Sequence, residues 1–152
     1  MDKIVGPGNI FVTVAKKQVY GQVDIDMLAG PSEILVVADD SAEASYVAAD
    51  LLSQAEHDPL SSAVLITQSL DLAVEVREQL RSQLEKLSRQ ETARQSLRDH
   101  SALVVTESLE ESLSLANRFA PEHLELCVRD PFSLLDEVKN AGAVFLGHYT
   151  PE

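Results

Sequence analysis

Apolar and polar positions alternate along the chain in two distinct rhythms. Ile34-Leu35-Val36-Val37-Ala38 is a continuous apolar run, as expected of a strand covered on both faces. Ala44, Val47, Ala48, Leu51, Leu52 and Ala55 then recur at the spacing of an amphipathic helix, with Ser41 as its expected cap and Pro59 beyond its end. The pair of patterns repeats. Ala63-Val64-Leu65-Ile66-Thr67 predicts a second buried strand, and Ser69 opens a long helix carrying Ala73, Val76, Leu80, Leu84 and Leu87. A short polar helical piece is expected over 92–97, inside a Gln/Arg/Ser-rich surface excursion at 88–100. A third strand, 102–106, leads to a helix that Ser108-Leu109-Glu110-Glu111 opens in capping-box form and Pro121 closes. Residues 124–128 read as a strand. Asp130-Pro131 starts a helix to about Asn140, and 143–146 is a final strand. Earlier in the chain the signals are weaker: a turn at Gly6-Pro7-Gly8-Asn9, a helix over 11–19 capped by Asn9, and a half-buried strand over 23–27.

Short loops between alternating strands and helices favour a parallel sheet. The expected fold is a three-layer α/β unit, a mostly parallel sheet of about five strands with helices on both faces, like an incomplete Rossmann fold. Two segments are expected, 1–29 and an α/β lobe over 30–152. The abrupt start and the stop at Thr150-Pro151-Glu152 fit a fragment of a longer chain.

Composition narrows the function. The chain has 152 residues, 45% of them hydrophobic, which argues against disorder. Its formal net charge of −13 would repel a phosphate backbone or an anionic membrane, so nucleic acid and membrane are not expected partners. One cysteine, Cys127, fits a reducing cytoplasm and reads as a packed core thiol. The first residues carry no signal-peptide pattern, and no apolar stretch approaches the ~20 residues of a membrane-spanning helix. A cytoplasmic setting is expected.

Open α/β sheets gather ligands at the carboxyl ends of their strands, which is where chemistry is first expected. Asp50, Gln54 and His57 share one face of the first strong helix, expected to point away from the core. An amide oxygen and an imidazole three residues apart can give a metal ion two ligands. The plainer reading is a solvated Gln54 and a His57 that meets the helix dipole. At Ala120-Pro121-Glu122-His123-Leu124 a proline pins an adjacent carboxylate and imidazole, suited to two separate proton transfers, or simply a polar loop. Gly6-Pro7-Gly8-Asn9 before a helix can hold an anion but lacks the dinucleotide fingerprint. Gly30-Pro31-Ser32-Glu33 offers a hydroxyl at a turn without the nucleophile-elbow pattern. His100 and His148 read as surface residues.

Six collinear stretches together resemble the histidinol dehydrogenase family. They are Lys3-Ile4-Val5-Gly6-Pro7-Gly8-Asn9, Ile25-Asp26-Met27-Leu28-Ala29-Gly30-Pro31-Ser32-Glu33, Asp50-Leu51-Leu52-Ser53-Gln54-Ala55-Glu56-His57, Glu91-Thr92-Ala93-Arg94, Ala120-Pro121-Glu122-His123-Leu124 and Ala141-Gly142-Ala143-Val144-Phe145-Leu146-Gly147. The resemblance covers the middle of the family's chain. It implies a homodimer, dependent on NAD and Zn2+, that oxidises L-histidinol through the aldehyde to L-histidine. Gln54 and His57 resemble two of four zinc ligands, Glu122 and His123 the acid–base pair, and Asn9 a contact to the dinucleotide. Ser32 resembles a substrate contact, as do Gln54, His57 and His123. The other two ligands, an aspartate and a histidine from the partner subunit, fall beyond this chain in the family. The isolated chain is therefore expected to show negligible activity and weak zinc affinity. Two other readings stand beside it: a metal-dependent hydrolase using His57 with Glu122 or His123, and a non-catalytic α/β binding or assembly module. The dehydrogenase reading requires the Gln–His and Glu–His pairs to meet at one margin of the sheet.

Overall fold

In the computed structural model, residues 2–6, 8–28 and 30–150 are described. Pro7 of the expected turn and Ala29, which ends the expected first segment, lie outside them, as do Met1, Pro151 and Glu152. Contacts divide the chain into two compact units, Met1–Pro31 and Ser32–Glu152.

In the first unit, β1 (Lys3–Ile4) pairs in parallel with β2 (Asp24–Ile25), and α1 (Ile10–Val19) connects them. The strand expected over 23–27 shrinks to Asp24–Ile25, paired with the two residues of β1, while Val23 bridges Tyr20. Asn9 caps α1, its Oδ1 accepting the N–H groups of Phe11 and Val12 at 3.1 and 3.3 Å. Lys16 is buried and bonds Asp26 at 2.6 Å while also donating to the Gly6 carbonyl. The Gly6 N–H donates back to Asp26 at 2.8 Å.

The second unit is built on β3 (Glu33–Ala38), β4 (Ser62–Thr67), β5 (Ala102–Val105), β6 (His123–Cys127) and β7 (Ala143–Leu146). All neighbours are parallel, in the order β5-β4-β3-β6-β7. β3 is central, and Ile34, Leu35, Val36, Val37 and Ala38 are each fully buried. Strand alternation sends Ile34, Val36, Ala38, Ala63, Leu65 and Cys127 to one face, where α2 (Ala44–Ala55), α3 (Leu70–Leu84) and α4 (Gln90–Asp99) pack. Leu35, Val37, Val64, Ile66, Leu124 and Leu126 point to the other face and meet Leu113 and Ala116 of α5 (Leu109–Phe119). This is the expected α/β architecture, with helices on both faces. Each fully buried large aliphatic side chain contributes about 1.5–3 kcal/mol relative to exposure.

Local chemistry shifts several boundaries. Ser41 does not cap α2, because Asp39 takes both its N–H (2.9 Å) and its hydroxyl. Glu43 stands at the cap position without a capping bond to the backbone, its carboxylate accepting the Ser45 hydroxyl at 3.0 Å instead. The expected helix at 131–140 is instead a 3₁₀ segment, Pro131–Glu137. Asp130 and Pro131 start it, but Asn117 of α5 accepts the N–H groups of Lys139 and Asn140 and donates to the Glu137 carbonyl, removing the groups that would lengthen it. The 88–100 excursion is largely α4, seated by fully buried Ala93 and by Ser96, whose hydroxyl donates to the Ser61 carbonyl at 2.8 Å. Among the described residues no helix is long and apolar enough to cross a membrane.

Candidate active site

Because α2 runs back against the direction of the strands, its last turn arrives at their amino ends. Gln54 and His57 stand there. Glu122 and His123 enter β6 at the same margin, and His123 pairs in register with Ile34 at the start of β3. Ser32 precedes β3, its carbonyl accepting the Ser62 N–H at 3.1 Å. The second unit thus gathers Ser32, Gln54, His57, Glu122 and His123 at one margin, and it is the amino margin, not the carboxyl margin expected from open α/β sheets. Asn9 belongs to the first unit.

At the carboxyl margin, bonds run between the segments that follow β3 and β6. The sheet reverses direction of growth between β3 and β6, the crevice where doubly wound folds bind nucleotides. Here the Asp39 N–H donates to the Cys127 carbonyl (3.3 Å) and its carboxylate accepts the Arg129 N–H (2.9 Å), stitching the crevice shut. The loop Asp39-Asp40-Ser41 has no glycine and two acids, which would repel a pyrophosphate. Burial pushes the Asp39 carboxyl upward, yet the bonds from Arg129 and Ser41 hold it below its ordinary value. His148, expected at the surface, is half-buried here, its Nε2 3.3 Å from the Ser41 hydroxyl. His100 is exposed at the end of α4.

At the amino margin each side chain is held differently. Gln54 is only 4% exposed, so its face of α2 packs inward instead of being solvated. His57 is exposed in the turn after α2; its N–H donates to the Gln54 carbonyl at 3.1 Å and its carbonyl accepts from Arg89 Nη1 at 2.9 Å. The Pro121 and Glu122 carbonyls accept the N–H groups of Gly142 (3.0 Å) and Ala143 (2.8 Å), which pins the backbone carrying the Glu–His pair. Glu122 is exposed and His123 half-buried, its ring edge-on to Phe145 with centroids 5.9 Å apart. Glu122 stands at a bend immediately before β6, and His123 is the first residue of that strand.

Behind this row lies a feature the sequence reading missed. Glu125 is 1% exposed in the middle of β6, and its carboxyl is hydrogen-bonded to that of Asp50 on α2. Burial raises the Asp50 carboxyl above its ordinary value, with the Glu125 bond opposing. Two carboxyl groups in such contact share a proton. The Cys127 thiol lies 3.9 Å from Glu125 Oε2 and is pushed up to about 12 by burial and then by the nearby carboxylate. The signal was present: His123, Glu125 and Cys127 alternate with Leu124 and Leu126, so the acid had to share the face of the histidine.

For a divalent ion the Gln54–His57 pair offers an amide oxygen and an imidazole, two of the four donors that a closed tetrahedral site takes. Among the described residues no group of three or more His, Cys, Asp and Glu gathers to hold a metal. The chain's own donors fit half a site.

The whole chain, residues 1–152, matches the family model for histidinol dehydrogenase. The chain belongs to the histidinol dehydrogenase family. It is 61% identical to the histidinol dehydrogenase of Moorella thermoacetica and 57% identical to that of Heliobacterium mobile, in each case over 152 residues, all of this chain and 36% of the relative. The crystal structure of histidinol dehydrogenase from Elizabethkingia anophelis superposes with a TM-score of 0.92 at 43% identity, over 99% of this chain and 35% of that one. A gamma-glutamyl phosphate reductase from Thermotoga maritima shares the fold, with a TM-score of 0.61 at 12% identity over 96% of this chain and 41% of its own. The chain therefore spans about a third of the length of its histidinol dehydrogenase relatives. Family membership disfavours the hydrolase and the non-catalytic module.

Proposed function

We propose that the amino margin of the second unit is the substrate-facing part of an NAD-dependent, zinc-containing enzyme that oxidises L-histidinol to L-histidine through L-histidinaldehyde. The observation that carries this reading is the common margin of the Gln54–His57 and Glu122–His123 pairs in a chain of this family. His123 takes the alcohol proton during the first oxidation. Glu122 then removes a proton from the water that adds to the aldehyde carbon, so the second oxidation yields the carboxylate. Bound NAD supplies the hydride acceptor for each oxidation. Gln54 and His57 would hold zinc together with two ligands from outside this chain, and the ion would supply a fixed positive charge that helps to position the substrate's imidazole and amine. Ser32 contacts the substrate beside Gln54, His57 and His123, and Asn9 contacts the dinucleotide. The intact protein is a cytoplasmic homodimer.

The test uses the intact protein carrying this sequence, with histidinol and NAD. His123→Asn is expected to suppress the first oxidation, while Glu122→Gln spares it and blocks oxidation of added aldehyde. Gln54→Ala and His57→Ala are expected to weaken zinc binding measured by chelator competition. Unchanged zinc affinity in both variants would sink the metal assignment.

A further inference from the structure

We infer that Asp50 and Glu125 form a strut between α2 and β6 that holds Gln54 and His57 level with His123, which makes both carboxyl residues positioning residues for the amino-margin site. The inference rests on the reading of that site given above. Register supplies the first support. Asp50 meets Glu125. One helical turn further toward the amino margin, about 6 Å along α2, stands Gln54. Two residues back along β6, about 6.6 Å in the same direction, stands His123. The matching rises put the amide and the imidazole at one height once the carboxyls are joined.

The second support is the character of the packing. The α2 face of the sheet is otherwise lined by Ile34, Val36, Ala38, Ala63 and Leu65, against which α2 lays Val47, Ala48, Leu51, Leu52 and Ala55. Such contacts are strong but non-directional, and the directional bonds that Gln83 donates to the Ser45 carbonyl and Arg89 to the His57 carbonyl come from the neighbouring helical layer, not from the strands. A hydrogen bond between two side chains fixes the helix along the strands. A buried acid in mid-strand is also costly, and an aliphatic residue of similar volume would serve stability as well or better. What the carboxyl pair adds is registry.

The experiment compares Asp50→Ala and Glu125→Gln in the intact protein that carries this sequence. Asp50→Ala removes the strut and is expected to weaken zinc binding ~10–100-fold and to lower kcat for histidinol by a similar factor, while the protein stays folded. In Glu125→Gln the amide donates to the Asp50 carboxylate, and zinc affinity is expected to stay within ~3-fold of the parent. That rescue is a result that loss of packing alone would not give. Should Asp50→Ala unfold, Asp50→Leu fills the volume without a polar bond and carries the same expectation. Parent-like zinc binding and turnover in a folded Asp50→Ala or Asp50→Leu would overturn the strut. So would a folded Glu125→Gln as impaired as Asp50→Ala. If the parent neither binds zinc nor oxidises histidinol, the proposed function fails by itself. The strut is then judged on the imidazole 15N signals of His57 and His123: shifted in Asp50→Ala and parent-like in Glu125→Gln if it stands, unchanged in both if it falls.

Discussion

Gly142 approaches Glu122 so closely that a Cβ added to it would stand 2.6 Å from the Glu122 carbonyl oxygen. The same carbonyl accepts the Ala143 N–H at 2.8 Å, so it cannot retreat without breaking the β6–β7 ladder where it begins. Gly142→Ala is therefore expected to displace the backbone of Glu122 and His123. Overpacking of this kind costs about 1–3 kcal/mol, and a fall in Tm of roughly 2–12 °C should accompany it. A proportionate fall in kcat/KM at temperatures where the variant is folded would locate the damage at the acid–base pair. An unchanged Tm would mean that the approach is looser than described.

Cys127 should be chemically silent in the native protein. Burial and the neighbouring Glu125 carboxyl raise its thiol to about 12, so the thiolate needed for alkylation is scarce at neutral pH. Iodoacetamide at pH 8 is expected to leave the folded chain unmodified by mass spectrometry and to add one group after denaturation. Rapid labelling of the folded chain would contradict the packing around β6.

Asp39 makes the carboxyl margin acid-sensitive. Its carboxyl sits below the ordinary value because the bonds from Arg129 and Ser41 outweigh the opposing effect of burial. A group with a lowered folded-state value adds stability that is fully present above the unfolded value. That stability is lost as the pH falls through the folded one. The denaturant midpoint of the parent should therefore exceed that of Asp39→Ala by a constant amount above about pH 5, with the gap narrowing as the pH falls below the ordinary carboxylate value of about 3.9. A gap that keeps its size throughout the acid range in which the parent remains folded would show that the carboxylate bonds contribute nothing.

How far sequence alone reached is explained by what each signal reports. The runs at 34–38 and 63–67 were legible because β3 and β4 are covered on both faces, and the apolar stripe of α2 because packing dictates it. Ser41 failed as a cap because a competing acceptor, Asp39, lies two residues away, and propensity does not rank such rivals. The end of the 131–140 helix depended on Asn117, twenty residues earlier in sequence. Gln54 was placed on a solvated face because periodicity locates polar residues without showing which of them meet polar partners across a layer. The margin was misplaced because the carboxyl-end rule assumes an open crevice, which Asp39 and Arg129 close.

The first unit should depend on one ion pair. Lys16 is 7% exposed in its side chain and lies 2.6 Å from Asp26, which also accepts the N–H groups of Gly6 and Met27, both at 2.8 Å. These bonds, Gly6 first and then Lys16, hold the Asp26 carboxyl far below its ordinary value, so Asp26 stays ionised through neutral and mildly acidic pH. Each strand of this unit is two residues long, and Phe11, Val14 and Tyr20 are exposed. Lys16→Met takes away the cation that balances Asp26 and the donor to the Gly6 carbonyl, leaving the exposed Asp26 carboxylate with the Gly6 and Met27 N–H groups. Lys16→Met, which keeps the aliphatic stem, is accordingly expected to open 2–28 to limited proteolysis at least ~10-fold faster, with 32–150 still resistant. Replacing both residues, Lys16→Met with Asp26→Leu, should recover much of the protection, because no unpaired charge remains. If the single variant is cut no faster than the parent, the unit is held by contacts other than this pair.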